Sequence, residues 1–287
     1  MSGDSTPART SELAMRIASA LALAALALSL LYVGGTSFAA LCAVFAVLIA
    51  LEFRAIVEAR LSRELALAML ALLGLVIALW FGAGPEHSAL ALAGGVVVVA
   101  IWELLSQRSC WAAAGLAYGG SPFLALSMLR GQDAAGAIVV LLIFAMVWGT
   151  DILAYFAGRA IGGPKLAPRI SPKKTWAGFV GGIGGALILT IGVAIMFRIS
   201  FGIGLLLLAV FISVVSQIGD LVESWIKRHF GRKDSSNLIP GHGGVMDRLD
   251  GLIFASVAMW AVSAALGAEA LVPDAPARAL TGNLIGG

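Results

Sequence analysis

The sequence predicts an all-α, polytopic integral membrane protein with about nine transmembrane helices. Of its 287 residues, 60% are hydrophobic and 12% are charged, whereas an ordinary soluble domain carries about 25% charged residues. The apolar residues form long continuous runs, and this excludes the alternating, shorter strands of a membrane barrel. The basic residues fall mostly on one side of the predicted spans. These three observations together determine the fold class.

Nine apolar runs approach the roughly 20 residues that a helix needs to cross a bilayer. They lie near 14–33, 37–53, 65–82, 88–105, 111–129, 136–157, 177–197, 200–219 and 251–272. The fifth is the weakest, because "YGGSP" (118–122) interrupts it. We interpret residues 1–287 as a single membrane domain. It comprises N-terminal transmembrane helices (1–135), catalytic helices with cytoplasmic loops (136–272) and a short tail (273–287).

The basic residues predict the orientation through the positive-inside rule. With the N-terminus in the cytoplasm, 16 of the 19 lie on the cytoplasmic side, and Arg130, Arg198 and Arg278 lie opposite. We therefore expect a multi-pass protein of a bacterial-type cytoplasmic (inner) membrane. The net charge of +3 is too small to imply a nucleic-acid partner.

Carboxylates inside or beside apolar spans are the next observation. A charged residue at the centre of a span costs about 2.5–3.5 kcal/mol on insertion scales, so each such residue calls for a partner or a function. For Glu52 and Glu103 we expect a helix–helix salt bridge or a snorkelling carboxylate. For Asp151, about six residues before the end of its predicted span, we expect a function.

The loop at 158–176 ends in "SPKKTW" (171–176). Ser171 precedes a proline and favours a turn, and Lys173 and Lys174 are compact charges suited to phosphate. Thr175 is placed to cap the following helix. Lysines that flank a span also satisfy the positive-inside rule, so this loop alone does not decide between topology and function.

The stretch 217–230 continues the eighth span as a helix. Its polar residues are spaced three and four apart and therefore share one face. They are Asp220, Glu223, Ser224, Lys227 and Arg228. We expect this stripe, acidic first and basic one turn later, to lie at the cytoplasmic surface.

A glycine-rich turn, "GHGG" (241–244), leads from this helix into the ninth span. Such turns hold phosphate with backbone N–H groups. Asp247 and Asp250 follow on one helical face. Carboxylates beside a bound polyphosphate are the usual setting for Mg²⁺, so the two helices predict a magnesium–nucleotide site.

The stretch from Ser224 to Asp250 resembles the signature of the phosphatidate cytidylyltransferase family, also called CDP-diacylglycerol synthases. The matching residues are Ser224, Lys227, Arg228, Lys233, Asp234, His242, Gly243, Gly244, Asp247, Arg248 and Asp250. The segments "GD" (219–220) and "SPKKTW" also resemble the family. Ala177 departs from it, because members usually carry Glu or Gln there, and this puts in doubt one polar contact beside Lys174.

The resemblance implies that CTP and phosphatidate react to give CDP-diacylglycerol and pyrophosphate, with Mg²⁺ required. It implies a paired metal centre on Asp220 and Asp247, with K⁺ as a candidate second cation. Asp250 and Glu223 are further candidate metal ligands. The implied partners are CTP, phosphatidic acid and the bilayer, and a homodimer is left open.

Roles for the remaining residues follow from this reaction. Four cationic side chains are expected to stabilise pyrophosphate or to hold the lipid phosphate: Lys227, Arg228, Lys233 and Arg248. Nine residues are expected to contact substrate: Ser171, Lys173, Lys174, Thr175, Ser224, His242, Gly243, Gly244 and Asp151.

Three other classes compete with this interpretation. A transporter would carry its functional ions near the bilayer midplane, whereas here they crowd one face. A related CTP-using enzyme could act on another lipid phosphate or alcohol, and the signature does not strictly exclude it. A catalytically inactive scaffold would not need to keep the candidate metal ligands.

Overall fold

The computed structural model describes residues 21–58, 61–132, 134–198, 202–236, 238 and 243–265. They form nine helices and one short two-stranded hairpin. The elements are α1 (Leu21–Val33), α2 (Gly35–Val57), α3 (Arg63–Ala83), α4 (Pro85–Leu105), α5 (Trp111–Arg130), α6 (Ala134–Ala160), β1 (Lys165–Ala167), β2 (Ser171–Thr175), α7 (Trp176–Met196), α8 (Ile203–His229) and α9 (Met246–Ala265).

The eight helices α2–α9 are long and apolar enough to cross a membrane, which confirms the predicted fold class. The predicted first span, 14–33, begins outside the described residues, and α1 covers its second part. The predicted ninth span, 251–272, begins earlier, at Met246, and is described as far as Ala265. Large apolar side chains such as Leu67 and Leu105 are 68% and 80% exposed, as expected of surfaces that lipid covers.

The fifth span, which the sequence marks as the weakest, is one continuous helix, α5, with Pro122 inside it. It lies at the centre of the bundle, and most of its residues are buried. Glycines and alanines along α5 allow neighbouring helices to approach closely. Packing from all sides supports the helix through the missing proline N–H, as is common in membrane bundles.

The loop between α6 and α7 contains an antiparallel pair of strands, β1 and β2, which the sequence did not predict. The strands are three and five residues long and lack an alternating apolar pattern, so no periodicity signals them. Thr175 ends β2 and caps α7, accepting a hydrogen bond from the Gly178 N–H at 3.1 Å. This confirms the expected cap.

Helices α6 and α7 approach each other closely at facing glycines. A Cβ atom added to Gly185 would lie 2.0 Å from the Gly149 carbonyl oxygen, and one added to Gly149 would lie 2.4 Å from that of Gly185. Only residues without side chains allow this contact. The contact sets the spacing of the two helices that the hairpin connects, and the hairpin carries Lys174.

We predict that Gly185→Leu separates α6 from α7 and lowers the thermal midpoint of the protein in detergent, since overpacking costs about 1–3 kcal/mol. The control is Gly184→Leu, because a Cβ atom at Gly184 meets no atom within 4 Å. Equal midpoints for the two variants would contradict the close packing.

Candidate active site

Helices α8 and α9 cross at two glycines, and this crossing brings the predicted acidic residues together. A Cβ atom on Gly219 would lie 2.9 Å from the Asp250 carbonyl oxygen, and one on Gly251 would lie 2.5 Å from the Ser216 hydroxyl. Asp220 directly follows the first glycine, and Asp250 directly precedes the second. The small residues therefore set where the two carboxylate-bearing turns meet.

Lys227 forms an ion cluster with one carboxylate from each helix. Its ammonium nitrogen lies 2.5 Å from an oxygen of Glu223 and 2.5 Å from an oxygen of Asp247. The side chains of Lys227, Glu223 and Asp247 are 10%, 1% and 11% exposed. Because these side chains are buried, their opposite charges interact strongly. The cluster therefore stabilises the packing of α8 against α9.

Asp247 also holds the segment that precedes α9. It accepts hydrogen bonds from the Ser235 N–H (3.0 Å), the Ser235 hydroxyl (2.9 Å) and the Gly244 N–H (2.9 Å). Lys227 and the two N–H groups engage most of the lone pairs that a carboxylate offers, and the Ser235 hydroxyl shares its one proton between Asp247 and Glu52. A Cβ atom on Gly244 would lie 1.9 Å from the Ser235 hydroxyl oxygen, so this turn requires a glycine.

Lys174 links the hairpin to α8. Its ammonium forms an ion pair with Asp220, whose side chain is 32% exposed, and the Ser224 hydroxyl lies 3.4 Å from the same carboxylate. A strand and a helix that are distant in the sequence therefore contribute opposite charges to one place. Lys174 lies beside the acidic face of α8.

Glu52 and Glu103 both bind helix N-termini, and the expected salt bridge or snorkelling carboxylate is wrong for both. Glu103 is 1% exposed and accepts hydrogen bonds from the N–H groups of Ala112 and Ala113 at the start of α5. Glu52 is 6% exposed and binds the start of α9. Helix N-termini present free N–H groups, and a carboxylate satisfies them well.

An apolar cavity of about 590 Å³ opens beside the crossing. Apolar side chains of α1, α2, α5, α6 and α9 form most of its wall, including Phe38 and Leu252. Its charged wall residues are Asp151 and Arg248. Arg248 and Leu249 line the cavity from the first turn of α9, and the same turn carries Asp247, so the cavity adjoins the ion cluster there.

Several predicted residues lie apart from the ion cluster. Lys173, Arg228 and Lys233 are exposed, and none of them pairs with a carboxylate in the described part of the chain. The Arg228 guanidinium instead donates to the Arg232 carbonyl at 3.1 Å. Ser171 is half-buried at the start of β2. His242 lies outside the described residues.

The sequence analysis missed two contributors to the site. Ser235 and Ser236 lie directly after Lys233 and Asp234, and both hydroxyls contact Glu52. A serine pair in a polar loop gives no signal of this contact.

We predict that Lys227→Met destabilises the protein by about 3–5 kcal/mol, because it leaves the buried Glu223 carboxylate without its cation. The measurement is the thermal midpoint in detergent. The double variant Lys227→Met/Glu223→Gln should recover part of the loss, and Lys233→Met serves as an exposed control. A wild-type midpoint for Lys227→Met would contradict the buried pairing.

Comparison with known proteins identifies the family. The model of the cytidylyltransferase family matches residues 14–266. The phosphatidate cytidylyltransferase of Brucella suis biovar 1 is 43% identical over 272 residues, covering 92% of this chain and 98% of that protein. The phosphatidate cytidylyltransferase of Bacillus subtilis is 44% identical over 138 residues, covering 48% of this chain and 51% of that protein. The chain therefore belongs to the cytidylyltransferase family and groups with its phosphatidate cytidylyltransferases.

Proposed function

We propose that the protein transfers the cytidylyl group of CTP to phosphatidate, giving CDP-diacylglycerol and pyrophosphate. The observation that carries this proposal is the junction of two environments. The lysine–carboxylate cluster of α8 and α9 adjoins an apolar cavity whose charged wall residues are Arg248 and Asp151. A water-soluble nucleotide suits the first environment, and acyl chains suit the second.

The cavity supports a lipid as the acceptor. Its volume of about 590 Å³ falls in the usual range for small-molecule sites, about 300–1,000 Å³, and its wall is mainly apolar with few polar groups, as is typical of such sites. Acyl chains would lie along the apolar wall, and the phosphate would lie at Arg248. That position directs the phosphate of the lipid toward Asp247 and Asp250.

The reaction needs little proton transfer. A phosphate monoester has a second pKa of about 6, so the phosphatidate oxygen is already ionised near neutral pH. This oxygen attacks the α-phosphorus of CTP, the bond from that phosphorus to the bridging oxygen of the β-phosphate breaks, and pyrophosphate leaves. Both reactants are anions, so positioning and charge neutralisation supply most of the catalysis.

Cationic side chains surround the proposed meeting point of the phosphates. Lys174 and Lys227 are already placed among the carboxylates, and each would exchange a carboxylate for a phosphate oxygen as substrate binds. Arg228 and Lys233 are exposed side chains that lie close to Lys227 in the sequence. We propose that they bind the departing pyrophosphate. The substrate contacts proposed for Ser171, Lys173, Thr175, Ser224, His242, Gly243, Gly244 and Asp151 remain part of this proposal.

The carboxylates fit Mg²⁺ by their chemistry. This ion prefers oxygen ligands and is usually bound by one or two carboxylates together with substrate phosphates and water. Among the described residues no three His, Cys, Asp or Glu side chains form a ready metal cluster. We propose Asp220 and Asp247 as ligands, with Asp250 or Glu223 in addition and K⁺ as a second cation.

Mg²⁺ would neutralise charge on the α-phosphoryl group when bound. The protein must make lone pairs available for it. Asp220 is one-third exposed and paired only through Lys174 and Ser224 within the described residues, so it can turn to a metal readily. Asp247 must first exchange one of its donors, and Lys227 is the one that phosphate would draw away.

We further propose that the site faces the cytoplasm of a bacterial inner membrane. The support is the distribution of basic residues, 16 of 19 on the side that carries the cluster, together with the bacterial source of the relatives. CTP is supplied on that side. A homodimer stays an expectation, because one chain already carries both the ion cluster and the apolar cavity of the proposed site.

We predict that Asp220→Asn and Asp247→Asn each lower the rate of CDP-diacylglycerol formation about 100-fold or more, because each removes a charge that the transition state needs. The measurement is incorporation of labelled CTP into lipid by purified protein with Mg²⁺ and phosphatidate. Glu86→Gln, an exposed carboxylate in the first turn of α4, is the control. Near-normal turnover in either aspartate variant would refute the proposed ligands.

We also predict that Ala27→Trp raises the phosphatidate concentration needed for half-maximal rate while leaving that for CTP unchanged, because Ala27 lines the cavity. Ala25→Trp is the matched control, since Ala25 lies on the same helix and is exposed. Other lipid phosphates assayed beside phosphatidate would identify a related acceptor. Equal behaviour of the two tryptophan variants would exclude the cavity as the acyl site.

A further inference from the structure

Glu52 lies in α2, far in the sequence from the family signature, yet all its described hydrogen-bond donors belong to the signature region. It accepts from the Val245 N–H (2.9 Å) and the Met246 N–H (2.7 Å) at the start of α9. It also accepts from the Ser236 hydroxyl (2.6 Å), and the Ser235 hydroxyl oxygen lies 3.1 Å away, with its single proton shared between Glu52 and Asp247. One buried side chain therefore fixes both ends of the segment from 235 to 246.

This set of donors matches a carboxylate and no other side chain of that length. Oε1 receives the Val245 N–H and the Ser236 hydroxyl, and Oε2 receives the Met246 N–H and lies 3.1 Å from the Ser235 hydroxyl oxygen. A carboxylate offers about four lone-pair sites on two oxygens. A glutamine would turn one of these oxygens into an NH₂ group, which would face a backbone N–H with no acceptor. The negative charge also suits the positive end of the helix.

The donors of Glu52 are directly connected to the proposed metal ligand Asp247. The Ser235 hydroxyl lies 3.1 Å from Glu52 and 2.9 Å from Asp247. Gly244, whose N–H binds Asp247, could carry no side chain, because a Cβ atom there would lie 2.7 Å from a Glu52 oxygen. Displacing the Glu52 carboxylate would therefore move the groups that orient Asp247.

We propose that Glu52 is a positioning residue for the cytidylyl transfer. It holds Ser235, Ser236 and the first turn of α9 so that Asp247 and its neighbours face the substrate phosphates. This assignment rests on the proposed function, and it gives the N-terminal half of the chain a part in the chemistry. Glu103 provides the contrast, because it binds a helix N-terminus in the same way but at α5.

The test compares Glu52→Gln with Glu103→Gln. Both changes remove one buried negative charge from a helix N-terminus, so a purely structural role predicts the same behaviour. We expect Glu52→Gln to lower kcat/KM for CTP about 10- to 100-fold, the scale of a misplaced catalytic group, and to raise the half-saturating Mg²⁺ concentration. Glu103→Gln should lower the thermal midpoint only. Unchanged half-saturation by CTP and Mg²⁺ in Glu52→Gln would overturn the proposal.

A second readout does not depend on activity. Trypsin cleaves after Arg232 and Lys233, which directly precede the held segment, and we expect faster cleavage there in Glu52→Gln than in Glu103→Gln. If wild-type protein formed no CDP-lipid, the proposed function would fail, while this cleavage difference would still report whether Glu52 holds the segment. Equal cleavage rates in the two variants would count against the positioning role.

Ser236→Ala keeps the proposal testable should Glu52→Gln not accumulate in the membrane. It removes one donor to Glu52 and leaves the carboxylate and both backbone N–H groups in place. We expect a smaller loss of kcat/KM for CTP, and in the Glu52→Gln background the same change should add little, because the two residues act through one contact. Fully multiplicative losses in the double variant would contradict a shared contact.

Discussion

Charge neutralisation between α8 and α9 is the constraint on which the rest of the site depends. Glu223 and Asp247 are buried carboxylates on the two helices, and the Lys227 ammonium nitrogen lies 2.5 Å from an oxygen of each. If either helix moved out of this contact, a buried charge of Lys227 or of a carboxylate would lose its partner. The ammonium therefore holds the two helices together until a substrate phosphate competes for it.

The same arrangement explains why the charges collect at one end of an otherwise apolar bundle. Acyl chains cannot leave the bilayer, and a nucleotide cannot enter it. The cavity, whose wall includes Asp151 and Arg248, lies beside the turn of α9 that carries Asp247. Lys174, on the hairpin that follows α6, adds a second cation by pairing with Asp220 of α8. The enzyme brings its two substrates together at the boundary of the two phases.

Much of the fold could be predicted from the sequence, because spans are set by local hydropathy. The polar face of α8 and the start of α9 could also be predicted, because helical spacing places Asp220, Glu223 and Lys227 on one face of α8. Contacts between distant segments could not be read in this way. The partner of Glu52 lies more than 180 residues away, and the β1–β2 pair depends on the helices that flank it. Both required the tertiary structure.

The most direct test of the account follows the two ends of the CTP triphosphate separately. Purified protein in phosphatidate-containing vesicles is given CTP labelled at either the α- or the γ-phosphate, and the organic phase is counted. The account predicts that the α-label enters the lipid in step with pyrophosphate release, while the γ-label stays in water. Transfer of the γ-label to lipid would contradict it, because the protein would then move a phosphoryl group rather than a cytidylyl group.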